Sequence, residues 1–395
     1  YIDENQDNET LKDMTKSGKQ RPWREKKIDN VSYADILEIL KIKKAFNVKQ
    51  CGNVLEFKPT DEGYLKLHKT WFCKSKLCPV CNWRRAMKNS YQAQKVIEEV
   101  VKEKPKARWL FLTLSTRNAI DGDTLERSLK HLTESFRRLF KYKKVSKNLI
   151  GFMRSTEVTV NKNDGSYNQH MHVLLCVENS YFKNKANYIT QEEWVNLWQK
   201  ALQVNYRPVA NIKAIKPNQK GDQDIQAAIK ETSKYSVKSS DFLTDDDERN
   251  QEIVNDLEKG LYRKRMLSYG GLLKQKHKIL NLDDAEDGNL INTSDEDKTT
   301  DEEEKAHSIT AIWNFEKQNY WSYPVMSSFL VDMMKELQDR RLFYYAEPAP
   351  RFKDAPADSF DSYSGVNPVL EYGGFVGFMH KSCKRKIEIY DYGFL

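Results

Sequence analysis

Two histidines separated by one apolar residue, His170-Met171-His172, stand in a run from Asn168 to Val177 whose side chains alternate in character. Alternation with period two reads as a β-strand. Met171, Val173, Leu175 and Val177 fall on one face, and His170 and His172 on the other beside Leu174 and Cys176. Two imidazoles two residues apart on one strand face can hold one metal ion. A second strand, Gly151 to Val160, precedes the first, and Asp164-Gly165 between them is a strong hairpin signal. With Asp164-Gly165 as a two-residue turn, Asn163 pairs with Ser166, Glu157 lies opposite His172, and Thr159 lies opposite His170. Opposed residues share a sheet face with Cβ atoms about 5 Å apart. One carboxylate and two imidazoles then form a three-ligand site with open positions, suited to Mg2+ or Mn2+. The plainer reading is a pair of surface histidines on an amphipathic strand, and the opposed Glu157 weighs against it.

A second candidate lies in Asp222 to Ser239, which reads as a helix. Its Glu231, Tyr235 and Lys238 recur at i, i+4 and i+7 and would share one face. Carboxylate, phenol and ammonium make a poor core stripe. A phenol can act as a nucleophile, and a lysine can hold a phosphate. The alternative is an ordinary solvated face.

A third group is cysteine-based. Cys78-Pro79-Val80-Cys81 places two thiols across a tight turn, the spacing of a tetrahedral zinc knuckle, and Cys51 and Cys73 would complete four ligands, with His68 as a competitor. Four protein ligands leave no position for substrate, so this zinc would be structural. Cys176 and Cys383 stand apart as isolated thiols.

The elements that must position these groups can be read along the chain. Residues 1 to about 30 are polar and read as a mobile arm, with a Lys19–Lys27 basic cluster able to touch phosphate. Ser32 to Ala45 reads as a helix. Trp83-Arg84-Arg85 opens another that runs to about Lys102, and Trp109 to Ser115 is apolar enough for a central strand. Thr124 to Lys141 is an amphipathic helix carrying Arg137-Arg138 near its end. Gln191 to Gln203 is a helix with Thr190 as N-cap and Glu193 completing a capping box. Val209 to Ile215 is a short strand, Leu261 to Leu282 is basic and helical after Gly270-Gly271, Ile309 to Phe315 is a strand, and Pro324 to Leu337 is a helix.

The net charge is +8 over 395 residues, but Asp283 to Lys305 holds eleven acidic and two basic residues, leaving +17 for the remainder. So basic a body favours a polyanionic partner, most simply nucleic acid. The acidic run, poor in apolar residues, is expected to be disordered. With neither a run of about twenty apolar residues nor a signal-peptide pattern, the chain reads as soluble and intracellular. It begins at Tyr1 rather than Met, so the true start is expected to be missing.

Taken in order, the Phe111–Ser115 strand, the Glu157 strand, His170-Met171-His172 and Glu231…Tyr235…Lys238 resemble the motifs of HUH nucleases. With Cys51…Cys73…Cys78-Pro79-Val80-Cys81-Asn82-Trp83-Arg84-Arg85 added, the chain resembles the replication initiators of small rolling-circle plasmids of Gram-positive bacteria, in their single-tyrosine class. The resemblance covers roughly residues 45 to 335 and includes the Gly271-Leu272-Leu273-Lys274 and Trp313-Asn314-Phe315 stretches. It implies an α+β fold, a five-stranded antiparallel sheet flanked by helices, with an N-terminal zinc module and a C-terminal α/β extension. The corresponding divisions are a basic arm and helix at 1–45, a zinc module and basic helix at 46–104, a nuclease domain at 105–282, an acidic loop at 283–306 and an extension at 307–395.

It further implies that Tyr235 attacks a scissile phosphate at the plasmid double-strand origin, leaving a 5′-phosphotyrosine and a free 3′-OH. Glu157, His170 and His172 would bind the catalytic divalent ion, Lys238 would position the phosphate, and Glu231 would act as a base at termination. Arg84, Arg85 and Lys234 would contact DNA. Expected partners are origin DNA as a hairpin or single strand, a host superfamily 1 helicase and a DNA polymerase. The expected setting is the bacterial cytoplasm, away from membranes, as monomer or dimer. A transposase or relaxase with the same chemistry, and a non-catalytic origin-binding regulator, are the competing readings.

Overall fold

The computed structural model describes residues 10–60, 62–215, 223–234, 236–286, 288–297 and 308–323, and the backbone of 368–372 and 375–378. The expected helix at Pro324 to Leu337 lies outside the described residues. The chain divides into units 1–338 and 339–395. In the first half of the larger unit lie α1 (Trp23–Ile39), α2 (Ala45–Gln50), β1 (Val54–Pro59), β2 (Leu65–Thr70), α3 (Pro79–Glu103), β3 (Arg108–Ser115), α4 (Gly122–Leu139), α5 (Lys143–Ser146), β4 (Leu149–Val160) and β5 (Tyr167–Val177). After these come α6 (Ser180–Lys183), α7 (Gln191–Leu202), β6 (Ala210–Ile215), α8 (Gln223–Thr232), α9 (Asp247–Gly260), β7 (Leu267–Gly270), α10 (Gly271–Ile279), β8 (Ile309–Asn314) and β9 (Asn319–Tyr323). Within the smaller unit, β10 (Pro368–Tyr372) pairs antiparallel with β11 (Phe375–Phe378).

The architecture is α+β. Five strands form an antiparallel sheet in the order β6-β3-β5-β4-β7. Alternation along β5 sends Met171, Val173 and Leu175 into a core with Leu132, Phe136, Trp194 and Trp198 of α4 and α7. Each such side chain contributes about 1.5–3 kcal/mol by leaving water. The capping box at Thr190 and Glu193 starts α7 as its sequence requires, and Asp121 with Thr124 forms another at α4. On the opposite face, Leu174, Cys176 and Met153 pack with Ala93, Val96 and Ile97 of α3, Ile229 of α8 and Leu273 of α10. Further along that face lie His172, buried, and His170, partly exposed.

β7 is the strand of this sheet absent from the sequence reading, which also lacked β1, β2 and β9. It is four residues long and runs straight into α10 through Gly270-Gly271. Gly271 has φ +59°, and a Cβ there would meet the Ile150 carbonyl and Gly151 of β4. Glycine is what lets the chain turn that close to the sheet.

A second sheet, β2-β1-β8-β9, carries the cysteine region. The strand at Ile309 to Phe315 was expected in a C-terminal extension that binds DNA or packs on the nuclease domain; instead β8 pairs with β1 in the register Val54↔Ile312, and β9, which was not expected, pairs with β8. Two further expectations change at the N-terminus. The helix begins at Trp23, and Lys27, expected on a mobile arm, is fully buried. Residues 10–22 are tied down by Leu11 N–H donating to the Tyr320 carbonyl and Trp23 Nε1 donating to Asp13.

The acidic run is also ordered through 297, contrary to expectation. Asp283 pairs with Lys88, Asp295 lies 3.1 Å from Lys95, and Asp297 lies 3.6 Å from Arg84, so it lays acids along the cations of α3. Charge complementarity holds a segment that its low apolar content alone would not.

Candidate active site and metal centres

The hairpin register differs from the sequence expectation by two residues. Glu157 pairs with His170, and Ser155 with His172. The loop is longer than two residues: Asn161 N–H donates to the Ser166 carbonyl, and Gly165 N–H donates to Asn161. Asn161 and Asp164 accept from Asn163 and Ser166 two residues on, and Gly165 takes φ +73°. These side-chain turns make a four-residue loop preferable to the tight turn. Because two residues is one full period of a strand, Glu157 stays on the histidine face.

Glu157 Oε2 lies 3.3 Å from His170 Nε2 and 3.1 Å from His172 Nε2. The ligand atoms of all three lie within 4.8 Å of one another. Ligands about 2.1 Å from an octahedral ion and at right angles stand about 3 Å apart, so this group fits a divalent cation. Asn168 Oδ1 lies 3.2 Å from His170 Nδ1, and Thr113 Oγ1 lies 3.5 Å from His172 Nδ1. Each partner engages the nitrogen facing away from the carboxylate, leaving Nε2 to bind metal. The Phe111 ring stacks 5.6 Å from His172. Sequence reasoning missed these three supports, although Asn168 lies two residues before His170 and Thr113 alternates with Phe111 on β3.

Burial pushes the Glu157 carboxyl up, but hydrogen bonds from His170 and His172 outweigh it and hold it well below the ordinary value of 4.5. A depressed folded pKa adds stability above the unfolded value that is lost as pH falls through the folded one. In metal-free protein, the stability gap between wild type and Glu157→Gln should therefore shrink as pH drops below about 4.5. Melting curves in a pH series would check this, and a gap constant to pH 3 would reject it.

Glu231 and Lys238 reach the same place by another route. The helix expected through Ser239 stops at Thr232, whose hydroxyl donates to the Ala228 carbonyl. Past it, the chain is drawn to the sheet edge, where Val158 N–H of β4 donates to the Ser236 carbonyl at 2.8 Å. The strand edge needs acceptors, and continuing the helix would leave that donor unpaired. Glu231 and Lys238 therefore do not share one helix face. Glu231 Oε1 lies 4.0 Å from His172 Nε2, and Lys238 Nζ lies 3.9 Å from Glu157 Oε1. Tyr235 lies outside the described residues. Lys234 is exposed and pairs with Glu231. Asp241, which sequence reasoning also missed, has an Oδ2 without a hydrogen-bond partner; burial pushes its carboxyl up, opposed by Lys238.

Arg84 and Arg85, expected to contact DNA, are buried. Arg84 donates to the carbonyls of Leu290 and Ile291 and lies over the rings of Trp23 and Trp83. Arg85 donates to Ser75, Lys74 and Asn82. Both guanidiniums hold loops to α3, although Arg85 Nε has no hydrogen-bond partner among the described residues.

Cys51, Cys73, Cys78 and Cys81 come together, with sulfur separations of 3.5 Å for Cys51–Cys81 and 3.7 Å for Cys73–Cys81 and Cys51–Cys78. Tetrahedral zinc with bonds of about 2.3 Å spaces its sulfurs about 3.8 Å apart, so the donor set fits that ion. Cys78 caps α3 and Pro79 occupies its first position, so the knuckle also starts the helix. Asn30 Nδ2 donates to Cys78 Sγ at 3.3 Å, and Cys73 N–H to Cys51 Sγ at 3.4 Å. The buried Lys27 ammonium donates to the carbonyls of Lys49 and Cys51 and to Asn30. A cation there would offset the charge that the four sulfurs carry once they hold a metal ion.

A family model described as "Replication protein" matches residues 64–321. A "Protein rep" from Lactiplantibacillus plantarum is 53% identical over 314 residues, which is 79% of this chain and 99% of that relative. A "Replication protein" from Staphylococcus aureus is 54% identical over 235 residues, 60% of this chain and 99% of that relative. A "Protein rep" from Streptococcus pneumoniae is 46% identical over 321 residues, 80% of this chain and 97% of that relative. No solved structure matches the chain. Among the described residues, no helix is long and apolar enough to cross a membrane.

Proposed function

The chain belongs to the replication-protein family, and from that premise we propose that it initiates rolling-circle replication of a small plasmid by nicking one strand at the double-strand origin. The observation that carries this reading is the convergence of Glu157, His170 and His172 with Glu231 and Lys238 at one end of the sheet. Such a constellation suits phosphoryl transfer, where positioning and charge stabilisation supply most of the rate.

In this mechanism the Tyr235 phenol gives its proton to solvent and its oxygen attacks the scissile phosphorus. The P–O3′ bond breaks, the 3′ oxygen takes a proton to become the priming hydroxyl, and the 5′ phosphate stays on Tyr235. Glu157, His170 and His172 would hold a Mg2+ or Mn2+ ion, which when bound polarises the phosphate. Lys238 neutralises a phosphate oxygen. Glu231 takes the proton of the second nucleophile, water or a hydroxyl, when replication closes. The DNA at the nick must be single-stranded, most simply in an extruded hairpin. A host helicase and polymerase would extend the product.

The test is incubation of the full chain with supercoiled plasmid carrying its origin, followed by mapping of any covalent adduct. One phosphotyrosine at Tyr235 is the expected outcome. Specific binding without nicking would favour an origin-binding regulator.

Glu231→Gln separates the two steps. Its amide keeps size and hydrogen bonding but accepts no proton. First cleavage should stay near normal while turnover of the adduct slows about a hundredfold or more. Gels should then show persistent adducts and multimeric replication products. Equal loss of both steps would remove Glu231 from termination.

A further inference from the structure

A groove of about 810 Å³ lies between the C-terminal half of α4 and the segment 263–269. It is on the face of the sheet away from the metal ligands. Alternation along β4 shows this: Arg154 and Thr156 line the groove, while Ser155 and Glu157 face the other way. Its walls carry Lys130, Arg137 and Lys141 from the α4 side and Arg263 and Lys274 from the other, all exposed. Arg154 lies in the floor and is 8% exposed. Among the described residues, none of these six cations has a carboxylate partner, whereas their neighbours Lys264 and Arg265 are paired with Glu126 and Asp284.

Arg154 is the informative residue. Its guanidinium stands 5.3 Å over the Phe136 ring, and among the described residues its one side-chain hydrogen-bonding neighbour is Met171 Sδ at 4.0 Å. Burial and nearby Arg137 lower its pKa to about 10. Glu286 acts on it only at a distance and Glu134 is the one acid among the groove's lining residues; burying a cation with no carboxylate bonded to it is costly, so its retention in a mainly basic groove points to an anionic ligand. The floor beside it is aromatic: Phe136, Phe140 and Phe152 pack with centroids 4.4–5.2 Å apart, and Phe140 and Phe152 are partly exposed. Cations along a groove with ring faces in its floor suit a single strand, whose phosphates meet the charges while its bases reach the rings. A duplex hides its base faces from such a floor. Met266, at the edge of the groove, also borders a smaller pocket lined by Ser155 and Lys234 beside the metal ligands. One strand can thus pass from the reacting phosphate over segment 263–267 into the groove.

We propose that this groove is a second DNA site, which holds the single strand flanking the nick. The proposal rests on the reading of the chain as a nicking initiator. The full chain carrying Tyr235→Phe would be titrated by fluorescence anisotropy with a long single strand centred on the nick, a short one, a thymidine tract and a duplex. Adding Arg137→Glu, Lys141→Glu and Lys274→Glu should weaken the long strand and the tract at least about tenfold. It should also flatten the dependence of log affinity on log salt by about 0.7 for each phosphate no longer neutralised. Arg154→Met, close in size and uncharged, should act the same way with an unchanged or raised melting temperature. Unchanged long-strand affinity, equal loss for the short strand, or a larger loss for duplex would each overturn the proposal. If the unsubstituted chain forms no adduct, the nicking reading fails, yet the tract titration still decides whether the groove binds single strands.

Discussion

Tyr235→Phe abolishes the covalent adduct while leaving origin DNA bound. The substitution removes one oxygen and keeps the ring, so the ligands at Glu157, His170 and His172 and the cations Lys234 and Lys238 are untouched. Losing the nucleophile of a chemical step costs at least about ten-thousandfold, far more than loss of a proton acceptor such as Glu231. The experiment pairs a gel for protein–DNA adducts with a binding assay on the same oligonucleotide. No adduct with affinity within about threefold of wild type is the expected result, less than 1 kcal/mol. An adduct at normal rate would move the nucleophile to another residue, and binding lost along with cleavage would make the phenol part of the DNA contact.

Cys78→Ser with Cys81→Ser releases one zinc and unfolds the region around it. Structural zinc contributes about 10–16 kcal/mol of apparent binding free energy, comparable to the entire stability of a typical domain, about 5–15 kcal/mol. The consequence extends beyond the knuckle. Cys78 caps α3, and Cys51 sits between α2 and β1, where Gly52 accepts from the Tyr320 hydroxyl of β9. Hydrogen exchange should accelerate through α1, β1, β2, β8 and β9, with less effect on β3, β4 and β5, whose core is formed with α4 and α7. Metal analysis showing no zinc in the wild-type chain, or a variant with unchanged melting, would reject the assignment.

The gathering of Glu157, His170 and His172 was legible because a strand has period two. The hairpin loop was misjudged, but an error of one full period kept the carboxylate on the correct face; an error of one residue would have sent it into the core with Val173. The Glu231 row was not legible, because helix periodicity does not report when a sheet edge will claim the backbone, as Val158 claims Ser236. Arg84 looked like a surface cation because its partners, Leu290, Ile291 and Asp297, are about two hundred residues away, whereas Arg85 turns back on the nearby Lys74, Ser75 and Asn82. The same distance hid the order in the acidic run, whose composition alone gives no sign of the cations on α3. The knuckle was legible through its local spacing, while the long-range pairing of its sheet was not.

That pairing imposes a sequence of events during synthesis. Val54 meets Ile312, so β1 leaves the ribosome some 250 residues before the strand that covers its edge. At about 5–20 residues per second, the wait is roughly ten to fifty seconds. All four cysteines are already out, but the sheet that braces them stays open on one side, and an uncovered strand edge is a template for another chain. A message broken before β8 would yield a protein with its five-stranded sheet in place and a sticky flank, subject to clearance or aggregation. Closing the sheet beside the cysteine cluster thus waits on strands made late in translation.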